Sequence, residues 1–351
     1  MRYEKKVIAR MDLCYAIGML RGGGADSLLI GPEKSGAIKR YALDGEPMET
    51  VSEGPGGVMT IAQVPGRTDQ VLATSGFFSP NHGGDEARIV CHTRAADGTW
   101  CSSLVCALPY VHRFGIVRGA DARTWLIACT IKGACRDLKD DWSRPGAIYV
   151  GLIDADLASY DAAHPLKMTE LACCQVQNHG FWTPEDAAFA LVSTAAGVFR
   201  FTPPATPDAT WEQRCLIVGA TSDICAVDLD GDGVLEIVTL APFHGDTISV
   251  WHEAAAPDIY ERVWSAPQRR EFLHAIWGGT LQGEPAALVG ARRGARELLR
   301  LSHERGAYRL EVVDSGAGPA NCMVFQHAGA DVIAAANRET DEIALYAPPR
   351  A

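Results

Sequence analysis

The sequence is short of three things. No apolar run approaches the length needed to cross a membrane as a helix. Almost no stretch shows the 3.6-residue apolar rhythm of an amphipathic helix. Positive charge is scarce: 32 Lys and Arg stand against 43 Asp and Glu, a net charge of −11. The first absence excludes a helical membrane span. The second leaves strands as the building material. The third argues against nucleic acid or an anionic membrane as the main partner. Short motifs are missing too. No glycine fingerprint follows a strand and opens a helix; Arg21-Gly22-Gly23-Gly24 reads as a hairpin loop rather than a phosphate cradle. There is no GxSxG elbow. The eleven cysteines are odd in number and irregularly spaced, and Cys129, Cys225 and Cys322 sit in apolar strands, so buried reduced thiols are expected. Cys173-Cys174 is an adjacent pair, not a CxxC, and gives no zinc-ribbon signal. The N-terminal MRYEKKVIARMDL lacks a long apolar core, and the expected location is the cytoplasm.

What is present is a repeat. At 351 residues and 47% hydrophobic, the chain can bury a large core. Short apolar strands recur between Gly, Asp and Pro. Seven segments share one plan: a strand, a polar turn, then a second apolar strand ending in a polar loop. They start near Tyr15, Val58, His112, His179, Asp223, His274 and Asn321. The spacing suits four-stranded blades with loop insertions, so an all-β seven-bladed β-propeller is expected, one domain over residues 1–351. The last blade is a strand short. The strand Glu4–Ala9, within residues 1–14, is left over and completes it, which removes an open sheet edge. Six or eight blades, or a pair of β-sandwiches, are the alternatives.

The most pointed stretch is the fifth blade, from Asp223 to Trp251. Asp228, Asp230 and Asp232 alternate, Gly233 follows, and Glu236 comes three residues later. Alternating carboxylates on a tight turn aim several oxygens at one point, the arrangement that calcium needs. It is not an EF-hand, because Thr239 stands where the twelfth-position glutamate belongs.

In a propeller, the start of each inner strand and the loop after each second strand lie at the same mouth of the central channel. Three of the seven strand starts are histidines, His112, His179 and His274, and Asp223 is a fourth polar start, in a chain with only 10 histidines. Neutral imidazoles with a carboxylate are good ligands for Zn²⁺, Mn²⁺ or Fe²⁺. The loops of that mouth offer Glu33, Lys34, His82, Lys132, Arg136, His244, Arg292, Arg293, Asn337 and Arg338. Two are long insertions, Phe77–Arg88 and Lys132–Gly146, and such loops often carry function. Phe114, Phe181, Trp182 and Trp277 offer either a wall for stacking sugars or packing between blades.

The acidic turn between two strands resembles the blades of FG-GAP and VCBS-type propellers. His274-Ala275-Ile276-Trp277-Gly278, followed by a turn and the strand ALVGARR, resembles a blade of the aldos-2-ulose dehydratase type of enzyme. The other turns lack the full acidic pattern, as in RGADAR and LQGEP. The resemblance implies metal-assisted dehydration or isomerisation of a keto-sugar or sugar acid. A divalent metal on His112, His179, His274 and Asp223 would acidify a C–H next to a carbonyl, His244 or His82 would take the proton, and Lys132, Arg292 or Arg338 would stabilise the enolate. The expected partner is a small carbohydrate-like substrate. The competing readings are a non-catalytic scaffold for another protein, and a propeller polysaccharide lyase or hydrolase.

Overall fold

The computed structural model describes residues 3–81, 83–135, 141–206 and 208–349. The chain forms seven four-stranded antiparallel sheets, the blades of a β-propeller. The described residues include two short 3₁₀ turns, Leu157–Ser159 and Arg338–Thr340. No helix among them is long and apolar enough to cross a membrane. Inner strands of the blades begin at Cys14, Ile61, Val111, Gly180, Asp223, Leu273 and Asn321. The expected starts therefore hold to within a residue, except in blade two. There the segment from Val58 is held by irregular contacts: the Thr74 hydroxyl accepts the amide of Thr60 at 3.1 Å, the Thr74 amide donates to the Thr60 carbonyl at 3.0 Å, and the Val58 amide donates to the Pro32 carbonyl at 2.9 Å. Regular pairing begins only at Ile61.

Within each blade, burial falls from the middle outward. The second strands Ser27–Pro32 and Gln70–Ser75 are buried at every residue. The outer strands Thr169–Gln175 and Glu212–Val218 are mostly exposed. This is why the second strands are rich in apolar residues and the outer ones carry more polar residues.

Contacts group the chain into two compact units. One comprises Met1–Tyr15, Ser193–Phe199 and Arg214–Ala351 and holds blades five, six and seven. Its seventh sheet is finished by Glu4–Arg10, which runs antiparallel to Glu342–Ala347. The expected closing strand is thus in place. A core cluster joins Leu281, Leu288 and Leu298 of blade six to Ile333, Ala335 and Tyr346 of blade seven. Burying each such leucine or isoleucine contributes about 1.5–3 kcal/mol. The other unit comprises Ala16–Val192 and Arg200–Gln213 and holds blades two and three with most of blades one and four. Here Phe114 is buried, and a Cβ on Gly115 would meet the ring of Phe181 at 2.5 Å. These aromatics pack blade three on blade four. Trp277 packs against the core cluster of the first unit.

All eleven cysteines are free, and six are buried. Burial pushes the thiols of Cys106 and Cys129 up to about 12, and they are protonated core residues.

Candidate active site

The strand-start histidines occupy a special place in the ladder. In blade three, Val111 pairs with Thr130 and Arg113 with Cys129, so His112 is the extra residue of a bulge. In blade six, Leu273 pairs with Ala291 and Ala275 with Gly290, so His274 is the extra residue of a second bulge. A bulge re-aims its side chain and frees it from the alternation. Both histidines are buried, as are His179 and Asp223.

The unit holding blades five to seven carries the denser cluster. His274 Nδ1 lies 2.7 Å from the carbonyl oxygen of Ala320. A carbonyl only accepts, so Nδ1 carries the proton and Nε2 presents its lone pair. The Tyr15 hydroxyl, 3.1 Å from Nε2, is then the donor to it. Tyr15 is itself a strand-start residue. Asn321, the strand start of blade seven, donates to the Tyr15 carbonyl at 2.8 Å. Asp223 is buried, and its Oδ1 accepts the Ile224 amide at 3.0 Å.

His244 stacks on the same group. Its ring lies 4.0 Å from Phe243, 4.5 Å from Phe272 and 5.3 Å from His274, all within 30° of parallel. Its backbone sits at φ 46°, the left-handed region that a residue with a side chain avoids. The Ser222 hydroxyl accepts its amide at 3.1 Å and holds it there. A non-glycine residue kept in this conformation is a feature of functional sites.

The guanidiniums of Arg292 and Arg293 each lie 4.8 Å from the centre of the Phe272 ring. Arg292 Nε donates to Glu339 Oε1 at 2.9 Å, and Arg338 bonds the same oxygen at 2.9 Å. Burial pulls the Glu339 carboxyl upward, but the two guanidiniums outweigh it and hold it below its ordinary value. The cationic rim expected from the sequence is thus moderated by one carboxylate, Glu339, that was not among the expected site residues. Glu339 follows Arg338 directly, and adjacency to a loop arginine was the signal available.

In the other unit, His112 and His179 form a second imidazole pair with ring centres 4.7 Å apart, and Phe77 meets His112 edge-on at 5.2 Å. Lys132 is fully buried, with its ammonium 4.2 Å from the centre of the Trp142 ring and no hydrogen-bond partner among the described residues. Lys34 donates to the carbonyl of Phe78. His82 and Arg136 lie outside the described residues.

The acidic turn stands apart from these residues. Asp228 accepts the amides of Gly231 at 2.8 Å and Gly233 at 3.0 Å. Those two glycines have φ of 80° and 90°, which the tight turn requires. One oxygen each from Asp228, Asp230 and Asp232 lie within 4.8 Å of one another, and so do donor atoms of Asp230, Glu236 and His252. Glu236 is buried, accepting from the Leu229 amide at 2.6 Å and from the Tyr308 hydroxyl at 3.1 Å. Burial raises its pKa. The carboxylates of Asp228, Asp230 and Asp232 are the oxygen donors a hard cation takes, while His252 lies 3.1 Å from Asp232 and Tyr308 donates to Glu236, both from strands that the turn's own spacing does not reveal.

No protein-family model matches the chain, and no curated protein matches it. Among solved structures it is similar to a chain of the crystal structure of the mitotic checkpoint complex, with a TM-score of 0.60 and 8% identity over 99% of this chain and 91% of that one. At that identity the likeness concerns the fold alone.

Proposed function

We propose that the protein is a metal-dependent carbohydrate lyase (dehydratase) or isomerase acting on a keto-sugar or sugar acid. The observation that carries the reading is His274. Its Nδ1–H is anchored on a carbonyl, which is how metal-ligating imidazoles are usually held, and its Nε2 lone pair faces the Tyr15 hydroxyl. The strand-start set His112, His179, His274 and Asp223 supplies the candidate ligands for Zn²⁺, Mn²⁺ or Fe²⁺. His244 and His274 form one imidazole pair and His112 and His179 another, and each pair can be removed separately. A divalent cation, when bound, polarises a substrate carbonyl and makes the neighbouring C–H acidic. Tyr15 would then yield the Nε2 of His274.

The chain's own groups supply the proton chemistry. His244, half-buried and sandwiched between Phe243 and Phe272, is the base. Arg292 and Arg338 offer their remaining N–H groups to the enolate oxygen, and Lys132 is the buried cation of the other unit. Tyr15, hydrogen-bonded to His274, is placed to return a proton at a second carbon or to a departing hydroxyl. The acidic turn is a calcium-type structural site.

The test is solvent exchange. Incubation with keto-sugars and sugar acids in D₂O should place deuterium at the carbon next to the carbonyl, with or without loss of water. His244→Gln should slow the exchange by about 10²-fold or more. Absence of exchange across the series would remove the enzyme reading in favour of a scaffold, and exchange untouched by His244→Gln would remove His244 as the base.

A further inference from the structure

The unit that holds blades two and three contains a half-buried arginine with no carboxylate beside it. Four other arginines of that unit, Arg40, Arg67, Arg94 and Arg123, are each paired with one. Arg88 is not. It is half-buried in the strand Arg88–Arg94; its side chain makes no ion pair or hydrogen bond among the described residues and buries its Nε without an acceptor. A half-buried guanidinium whose Nε reaches no acceptor among the described residues is suited to an anion from outside.

Arg88, Val90 and His92 alternate along that strand and so share one face. His92 is 3% exposed. Its Nδ1 lies 2.8 Å from the Ser102 hydroxyl, and its Nε2 has no partner among the described residues. Burial pushes its pKa down to about 4, so the ring is neutral near pH 7 and acts as a hydrogen-bonding group. The Ser103 hydroxyl is also buried without a partner. With Ser52 and Ser75 these residues line a cleft of about 250 Å³.

The spacing selects the ligand. Four residues of strand separate Arg88 from His92 by about 13 Å along the backbone. A bare ion cannot meet both, whereas a small molecule with an anionic end and a hydroxylated body can. The volume lies just below the range of drug-sized pockets, which limits the body to about one sugar ring. We propose that this cleft binds a small phosphorylated polyol, with the phosphate on Arg88 and the hydroxyls on His92 and Ser102. This reading does not depend on any metal or on the reaction proposed above, since none of those residues lines the cleft.

Calorimetric titration of the full chain tests it, with glucose 6-phosphate, fructose 6-phosphate, glycerol 3-phosphate and inorganic phosphate as probes. At least one organic phosphate should bind about tenfold or more tightly than inorganic phosphate. Arg88→Gln should weaken it by about tenfold or more, as expected for loss of a charge-assisted contact. Ser102→Ala, at an exposed position, should weaken the organic phosphate and leave inorganic phosphate unchanged. The proposal is overturned if no organic phosphate binds at about 10 mM, too weak to be a built site. It is equally overturned if Arg88→Gln binds like the parent, or if inorganic phosphate binds as well as the best organic one.

Discussion

At the scale of single residues, the site rests on a tautomer. Ala320 can only accept, so the His274 proton is on Nδ1. Nitrogen-15 imidazole spectra of the metal-free protein should show Nδ1 protonated and Nε2 bare, and Tyr15→Phe should shift only the Nε2 signal. A proton on Nε2 would remove the ligand role. The sequence could show that Tyr15 and His274 hold equivalent places in two blades. It could not show that they touch, because 259 positions separate them and only the folded chain sets that distance. The same limit hid the sharing of Glu339 between Arg292 and Arg338. Another residue-scale pair governs acid stability. Burial pulls the Glu49 carboxyl up, but its own amide and the guanidiniums of Arg94 and Arg40 bring it down to about 2. A depressed carboxyl stabilises the fold above its ordinary 4.5 and loses that contribution as pH falls through about 2. Glu49→Gln should cost about 1–2 kcal/mol at pH 7 after solvent screening, and should flatten the loss of stability between pH 4.5 and 2 in denaturant titrations.

At the scale of the element, the acidic turn was legible because its chemistry is local. Alternating aspartates and two glycines specify the bend within a few residues. His252 and Tyr308 were not legible, since they arrive from other strands. Their presence shapes a prediction about pH. The Glu236 pKa is raised by burial, so its ionisation opposes folding as pH climbs above the ordinary value. A cation binding to the turn favours the ionised form and offsets that penalty. Calcium should therefore raise the melting temperature more at pH 7 than at pH 4.5. Asp230→Asn, which touches both donor sets, should abolish the rise. An equal rise in the variant would mean that calcium acts elsewhere.

At the scale of the whole molecule, the repeat was readable because each blade restates the same strand and turn pattern. Blade two differs where the Thr74 hydroxyl and isolated backbone bonds, rather than a regular ladder, hold the first segment. The closing strand was readable by subtraction, as the last blade had three strands of its own. Removing residues 1–10 should expose the edge of Glu342–Ala347 and drop the ion pair of Lys5 with Glu342. Light scattering should then show association of a chain that is otherwise dispersed, and a dispersed truncated chain would contradict that role for the strand.

The proposed chemistry depends on strand-start histidines of this propeller holding a catalytic metal. The most direct test is the metal content of protein purified without added metal, in the parent and in two variants, His274→Ala alone and His112→Ala with His179→Ala. The account predicts about one transition-metal ion per chain in the parent and its loss in the first variant, with the β-sheet circular dichroism unchanged. A parent free of transition metal, or a metal retained by both variants, would contradict it.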